Sequence, residues 1–433
     1  PGAARAVSER PEGVLPHSLR RLLLGNPLPT SRMQEETVGT LIGLAVLASD
    51  ALSSVAYATE EILMALVLAG SEGLAYVMPV GGCIGTLIVV VATSYRQTII
   101  EYPDGGGAYR VAHENLGPVF GLIAAAAMLT DYVLTVAVSV SAGVAAVISA
   151  FPVLDPYRVA LAVAVIGVVT LINLRGVRES GFVFALPCYG FIAAMLILLA
   201  VAAIRVLTQG FPAAAAPLEL EVVRPLTLLL LMRAFASGCA ALTGIESVAN
   251  GVRVFKAPAQ VRGARVLGIL AGLMVLLFSG VTWLAHGYGI IPHHTETVVS
   301  QIARQVFGRG PMYYVIQTAT FVVLFLAANT SFAGFPRLAS LLARDSYVPR
   351  QLANLGDRLV FSNGIVLLAA AAIALVVLFR GETHALIPLY AIGVFLAFTL
   401  SQTGLVLRRW RRRPSGWRLG VLINAVGAVT TFT

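Results

Sequence analysis

Residues Leu41 to Gly70 read LIGLAVLASDALSSVAYATEEILMALVLAG. The stretch is long enough to cross a bilayer, since a membrane span needs about 20 mostly apolar residues. Its middle breaks the apolar pattern with Ser49, Asp50, Ser53, Ser54, Tyr57, Thr59, Glu60 and Glu61. Hydrocarbon holds no water to satisfy loose backbone groups, so a helix unwinds there only where its backbone lines a cavity. Small and hydroxylated residues permit that unwinding. A carboxylate at membrane depth costs about 2.5–3.5 kcal/mol even on lenient scales, which marks Asp50 as functional. For Ser53 and Ser54 the competing reading, close helix packing, carries equal weight.

A second stretch of the same kind lies at Phe235–Gly251, FASGCAALTGIESVANG, with Ser237, Gly238, Thr243, Gly244, Glu246, Ser247 and Asn250. Glu246 sits among hydroxyl residues as Asp50 does, and Ser54-Val55-Ala56 is echoed by Ser247-Val248-Ala249. Opened carbonyls together with Ser, Thr and Tyr hydroxyls would make an oxygen-lined pocket suited to a hard monovalent cation.

These two stretches stand in a chain that is 58% hydrophobic and 12% charged. A soluble domain carries about twice that charge. The apolar residues fall in long blocks near 38–69, 74–95, 118–150, 157–173, 182–207, 227–249, 265–290, 311–343, 363–379 and 385–407. Outer-membrane strands would alternate in shorter runs, so the fold class is an all-α integral membrane protein. Another apolar run starts near 416 and is still running at Thr433, from which a longer natural chain is expected. Residues 1–37 are polar and Arg-bearing, read as a cytoplasmic N-terminal segment, with the first span directing insertion.

The net charge of +9 comes almost entirely from Arg, with Lys256 the single lysine. It is read as the positive charge of cytoplasmic loops rather than as a nucleic-acid surface. Arg5, Arg10, Arg20, Arg21 and Arg32 precede span one, and Arg96 and Arg110 follow span two. Arg175 and Arg178 follow span four, and Arg253, Lys256, Arg262 and Arg265 follow span six. Arg344, Arg350 and Arg358 follow span eight, and Arg408, Arg409 and Arg411–Arg413 follow span ten. The alternate loops are poorer in Arg, so the N-terminus and the end of span ten are expected in the cytoplasm. Cys83, Cys188 and Cys239 lie inside apolar blocks and are read as buried small residues, not as a disulfide or metal framework.

Five spans are an odd number, so spans six to ten (about 227–407) enter the membrane inverted relative to spans one to five (about 38–207). Inverted repeats place a binding site at their interface, with the opening helix of each half interrupted. The interrupted helices are spans one and six, the two stretches quoted above.

Other groups at membrane depth join the candidates. Span three contains LTDYVLTVAVSVSAG, in which Tyr132, Thr135 and Ser139 share one helix face. Asp131 points about 100° away from Tyr132; it is either a proton carrier or the partner of a cationic or polar group on a neighbouring helix. Tyr390 is either an interfacial anchor or, with Pro388 and Gly393 distorting its helix, a pocket residue. At least one of Glu60 and Glu61 is expected in a solvated vestibule, and His293-His294 is read as a solvated loop pair. Glu101-Tyr102-Pro103-Asp104-Gly105-Gly106-Gly107-Ala108-Tyr109 has no preceding strand and no following Lys-Ser/Thr, which excludes a phosphate-cradling loop. It is read as a flexible cytoplasmic or re-entrant gate segment.

Leu47–Tyr57 (LASDALSSVAY), Tyr102–Tyr109 (YPDGGGAY) and Leu242–Gly251 (LTGIESVANG) resemble the KimA-type, or YdaO-like, potassium/proton symporters. Those belong to the KUP group of the amino acid–polyamine–organocation superfamily. The resemblance runs from roughly Arg20 to the end of the chain. It implies a LeuT-type 5+5 inverted-repeat fold with broken helices 1 and 6, and potassium uptake by proton symport across the bacterial inner membrane. It also implies that potassium binds at Asp50, Tyr57, Tyr132, Thr135, Ser139, Thr243, Glu246 and Tyr390. Relatives carry twelve spans and a further cytoplasmic domain for dimer contacts and, in some, cyclic di-AMP. A homodimer is left open by this resemblance, and cyclic di-AMP regulation is expected only with such a domain.

The expected partners are thus potassium, protons and the lipid bilayer, with no cofactor, no further metal and no enzymatic activity. Proton-coupling candidates are Asp50, Glu246 and Asp131, because a carboxylate held away from water can exchange a proton for a bound cation. Two other readings stay open: an amino acid or polyamine permease on the same fold, and a passive cation channel or transport-inactive sensor. The first break carries Asp50 and no glycine, which would repel a substrate carboxylate. No repeated filter sequence of the kind a channel uses is visible.

Overall fold

The computed structural model describes residues 37–103, 105, 107–176, 181–212, 222–356 and 360–432. Arg178, Arg358, Asp104, Gly106 and nearly all of the N-terminal segment lie outside the described residues. Among those described, nine helices are long and apolar enough to cross a membrane, and two apolar helices are shorter.

Span one is divided into α1 (Thr40–Ser53) and α2 (Ala58–Leu66), joined by a tight turn at Ser54–Ala56. Span two is α3 (Val77–Glu101), and the short α4 (Gly107–Leu116) follows the glycine-rich loop. Spans three to five are α5 (Pro118–Ala150), α6 (Arg158–Leu174) and α7 (Gly181–Gln209). Span six is again divided, into α8 (Leu228–Gly238) and α9 (Glu246–Asn250). Span seven is α10 (Ala259–Gly287), after which α11 (Val298–Phe307) forms a short amphipathic helix. Spans eight to ten are α12 (Pro311–Arg344), α13 (Ser362–Leu378) and α14 (Thr383–Arg412), and α15 (Trp417–Phe432) packs on α14.

Local sequence accounts for the ends. Pro118 and Pro311 open their helices, where the missing N–H costs nothing. Thr227 and Thr297 accept the backbone N–H of Leu230 and Ser300, capping α8 and α11. Arg409, Arg411 and Arg412 crowd the last turn of α14, where cations complement the helix dipole.

The broken spans lie at the centre. α5 packs on α12 and α14, and α1 on α7, α10 and α12. The second arm of span one, α2, lies against the first arm of span six, α8, and the two breaks touch. The far ends are also joined: the Val38 N–H donates to Val254 O at 2.8 Å and the Lys256 N–H to Val38 O at 3.0 Å. The most buried spans are α5, span one and α12, while α6 and α7 present mostly exposed surface.

Candidate cation-binding site

The two breaks are built differently. In span one the helix tightens by one turn, and only Tyr57 (φ −126°, ψ −18°) leaves the helical region. In span six the turn Cys239–Leu242 is followed by an extended Thr243 (ψ 147°) and a left-handed Gly244 (φ +79°). A Cβ on Gly244 would stand 2.5 Å from the Ala51 nitrogen and 2.8 Å from Asp50 Cγ. Glycine is therefore required twice, by its backbone conformation and by the approach of span one.

Serine and threonine hydroxyls satisfy much of the opened backbone. Ser53 donates to Asp50 O at 2.7 Å, and Thr243 to Ala240 O at 2.8 Å. The Ser54 hydroxyl lies 2.6 Å from Ala51 O and 3.2 Å from Ala241 O, bridging the two breaks. Both serine hydroxyls are thus engaged with backbone carbonyls at the breaks.

The acids converge. Ser247, one residue after Glu246, donates to Asp50 Oδ2 at 3.3 Å. Asp50, Glu246 and Asp131 are all buried and near enough to feel one another's charge. Asp131 lies in the field of the acids Glu246 and Asp50. Glu246 Oε2, Asp131 Oδ1 and Ser49 Oγ are buried without a hydrogen-bond partner among the described residues. Buried polar atoms are normally paired, and an unpaired carboxylate oxygen in an apolar core is costly. Among the described residues the buried charged side chains are Asp50, Glu60, Glu61, Asp131 and Glu246, and none is Lys or Arg.

Around the acids stand the predicted hydroxyls. Thr135 Oγ1 and the Tyr390 hydroxyl are 3.0 Å apart, joining α5 to α14; Tyr390 is fully inside the protein and is no interfacial anchor. Tyr57 lies beside Thr243 across the two breaks. Tyr132 is half-buried and packs so closely on Gly334 of α12 that a Cβ there would meet its ring at 2.6 Å. Ser139 is buried on α5, with no hydrogen bond to the other candidates among the described residues. Sequence reasoning passed over Tyr95 of α3, whose buried hydroxyl lies beside Ser401 and in the field of Glu246. A lone tyrosine inside LIVVVATSYRQ was the signal available.

Glu60 and Glu61 depart from the expected solvated vestibule, since both are buried. His384, at the start of α14, pairs through Nδ1 with Glu61 and lies with Nε2 3.4 Å from Glu60. A narrow cavity of about 30 Å³ runs here, lined by Tyr57, Glu60, Ala142, Thr320 and His384 and edged by the exposed His293 and His294. That is room for one or two waters.

At the opposite end the glycine-rich loop docks on span six. Gly107 (φ +47°) touches the Asn250 side chain so closely that no Cβ would fit. Glu101 is held by Arg408 and Arg409 at 2.8 and 2.9 Å, and Arg408 also donates to the Tyr102 hydroxyl at 2.7 Å. Burial pushes the Tyr102 phenol up, while Asn115 and Arg408 partly offset it.

A membrane bundle with two touching helix breaks and acids gathered at its centre is the build of a secondary transporter. Residues 39–433 match the amino acid permease family, and the chain belongs to that family. The chain is a polytopic membrane transporter with a LeuT-type fold, not an enzyme. It is similar to the potassium transporter KimA of Bacillus subtilis strain 168, with 48% identity over 417 residues, covering 96% of this chain and 69% of the relative.

Proposed function

We propose that this transporter takes up potassium by proton symport through alternating access. The observation that carries the reading is the charge imbalance at the centre: buried acids, unpaired carboxylate oxygens and no buried Lys or Arg among the described residues. Such a site is completed by a cation or by protons, and competition between the two couples them. The name of the 48% identical relative supports potassium as the cation. Asp50, Tyr57, Tyr132, Thr135, Ser139, Thr243, Glu246 and Tyr390 supply its oxygens, and Asp50, Glu246 or Asp131 carries the coupled proton.

An amino acid substrate fits less well. Its carboxylate would meet the buried Asp50 at the first break. In the orientation that the Arg-rich loops support, the N-terminus is cytoplasmic in a bacterial inner membrane. Arg408 then faces the cytoplasm and His384 the outside.

The test is growth of bacteria lacking potassium uptake on low external potassium, with and without this chain, followed by flux into vesicles. Rescue, with uptake that rises as external pH falls and acidifies the lumen, is the expected outcome. Potassium flux with no proton movement would overturn symport. Failure to rescue, with amino acid or polyamine uptake instead, would overturn potassium.

A further inference from the structure

We infer that Glu60, Glu61 and His384 form a proton-operated latch that shuts the outer mouth of the transport path. The inference rests on the orientation and symport reading above and goes beyond them, because it concerns a second group of acids apart from the central one.

Three separate elements meet at the latch. Glu60 and Glu61 are on α2, the outer arm of broken span one, and His384 is on the first turn of α14. Glu60 Oε2 also accepts the Val298 N–H at 3.2 Å, at the first residue of α11. Adjacent residues on a helix point about 100° apart, yet both carboxylates reach one imidazole, which lies between them. The cavity leading toward Tyr57 passes beside this junction. Opening the outer mouth requires α2, α14 and α11 to separate, and these contacts oppose that separation.

The chemistry of the contact sets its proton count. Each ring nitrogen of His384 faces a carboxylate oxygen. A neutral imidazole has one N–H donor and one lone pair, whereas the cation has two donors. With both neighbours ionised, the neutral ring would turn a lone pair toward a carboxylate. Closing therefore takes up one proton from external water, which adds to the ring nitrogen, and opening returns it to the same side. This proton is not carried across. By linkage, low external pH favours the closed mouth, and one linked proton shifts the equilibrium by at most about tenfold per pH unit. In the symport cycle this closes the mouth behind a loaded ion.

The other charged and titratable groups around the cavity are accounted for. Arg158 is bound to Asp155 at 2.9 Å, and Glu296 is held by Arg304 at 2.9 Å. Glu382, His293 and His294 are exposed. Tyr57 faces the central site beside Thr243.

Ala142 lines the cavity three residues beyond Ser139 on α5, beside Glu60 and His384. In a chain whose native cysteines are replaced, Ala142→Cys is labelled from outside with a membrane-impermeant methanethiosulfonate. The rate is divided by that of Thr295→Cys at the exposed rim, which cancels thiol ionisation. In otherwise wild-type protein the ratio should fall several-fold between about pH 8 and about pH 5.5, the range in which a histidine switches. His384→Gln should hold it high and flat, and His384→Lys, a permanent cation, low and flat. Should His384→Gln not reach the membrane, Glu61→Gln carries the same expectation of a high, flat ratio. A wild-type ratio independent of pH, or neutral variants that follow the wild-type curve, would overturn the latch. Potassium flux without proton movement would sink the symport reading and leave this labelling result standing.

Discussion

The two helix breaks lie in contact, yet they hold themselves open by different means. Break one stays close to helical throughout, with Ser53 and Ser54 hydroxyls returning to the carbonyls of Asp50 and Ala51. Break six leaves the helix outright at Thr243 and turns on a left-handed Gly244 that presses against Asp50 and Ala51. One break is maintained by side-chain hydrogen bonds that other residues could forgo. The other is maintained by a left-handed backbone that favours glycine, at a point where a Cβ would meet Asp50 and Ala51. Each contributes a carboxylate, Asp50 or Glu246, so chemical equality between the breaks accompanies mechanical inequality.

The largest effects should follow from that chemical equality. Asp50→Asn and Glu246→Gln each remove one ionisable group from a centre that, among the described residues, has no buried Lys or Arg. Either change should take potassium uptake to background, a loss of at least about a hundredfold, or some 2.7 kcal/mol, while the protein still reaches the membrane. Radiotracer uptake at matched expression checks it. Full activity in one variant and none in the other would show that a single break holds the ion.

The mechanical inequality comes next. Gly244→Ala adds left-handed strain of about 1–2 kcal/mol and drives a methyl into the Ala51 nitrogen, an overpacking cost of about 1–3 kcal/mol. A clear drop in the unfolding temperature of the purified protein, with most of the uptake lost, is expected. Uptake and unfolding close to wild type would mean that span one shifts readily, and the contrast between the breaks would fail.

How much of this was legible in the sequence follows from what each residue costs in lipid. Asp50 and Glu246 stood out because an acid in an apolar run is expensive and needs a reason. Gly244 did not separate itself from Gly238, since glycine in a membrane helix serves packing as often as breakage; only φ and the nearby Asp50 distinguish them. His384 sits at the edge of its span, where a polar residue is unremarkable, so its pairing with Glu60 and Glu61 was invisible. At least one of those two acids is expected in a vestibule because linear position gives depth but not neighbours. Tyr390 carried two readings, and its burial, with its hydroxyl 3.0 Å from Thr135 Oγ1, removes the interfacial one.

A smaller effect is expected on the hydroxyl wall that both breaks face. Thr135→Ala leaves the buried Tyr390 hydroxyl without its 3.0 Å partner, and Tyr390→Phe and Tyr132→Phe each delete one oxygen. A loss of about 1 kcal/mol per oxygen raises half-saturation for potassium about fivefold, at little cost to the maximum rate. Unchanged half-saturation in all three variants would reduce this wall to ordinary helix packing.

The smallest effect tests break one directly. Ser54→Ala removes the hydroxyl that lies 2.6 Å from Ala51 O and 3.2 Å from Ala241 O. Ala51 O keeps a partner, because the Ser54 backbone N–H still donates to it. Alanine also suits a near-helical turn better than serine does, which offsets part of the lost bond. The net cost should therefore be below about 1 kcal/mol, with uptake within about twofold of wild type. Measured beside Gly244→Ala in one background, the pair gives the ratio that the two architectures demand. If Ser54→Ala proved as damaging as Gly244→Ala, the bridge to Ala241 would be holding both breaks in register. Span one and span six would then have to open as one interlocked unit rather than as a yielding arm against a fixed one.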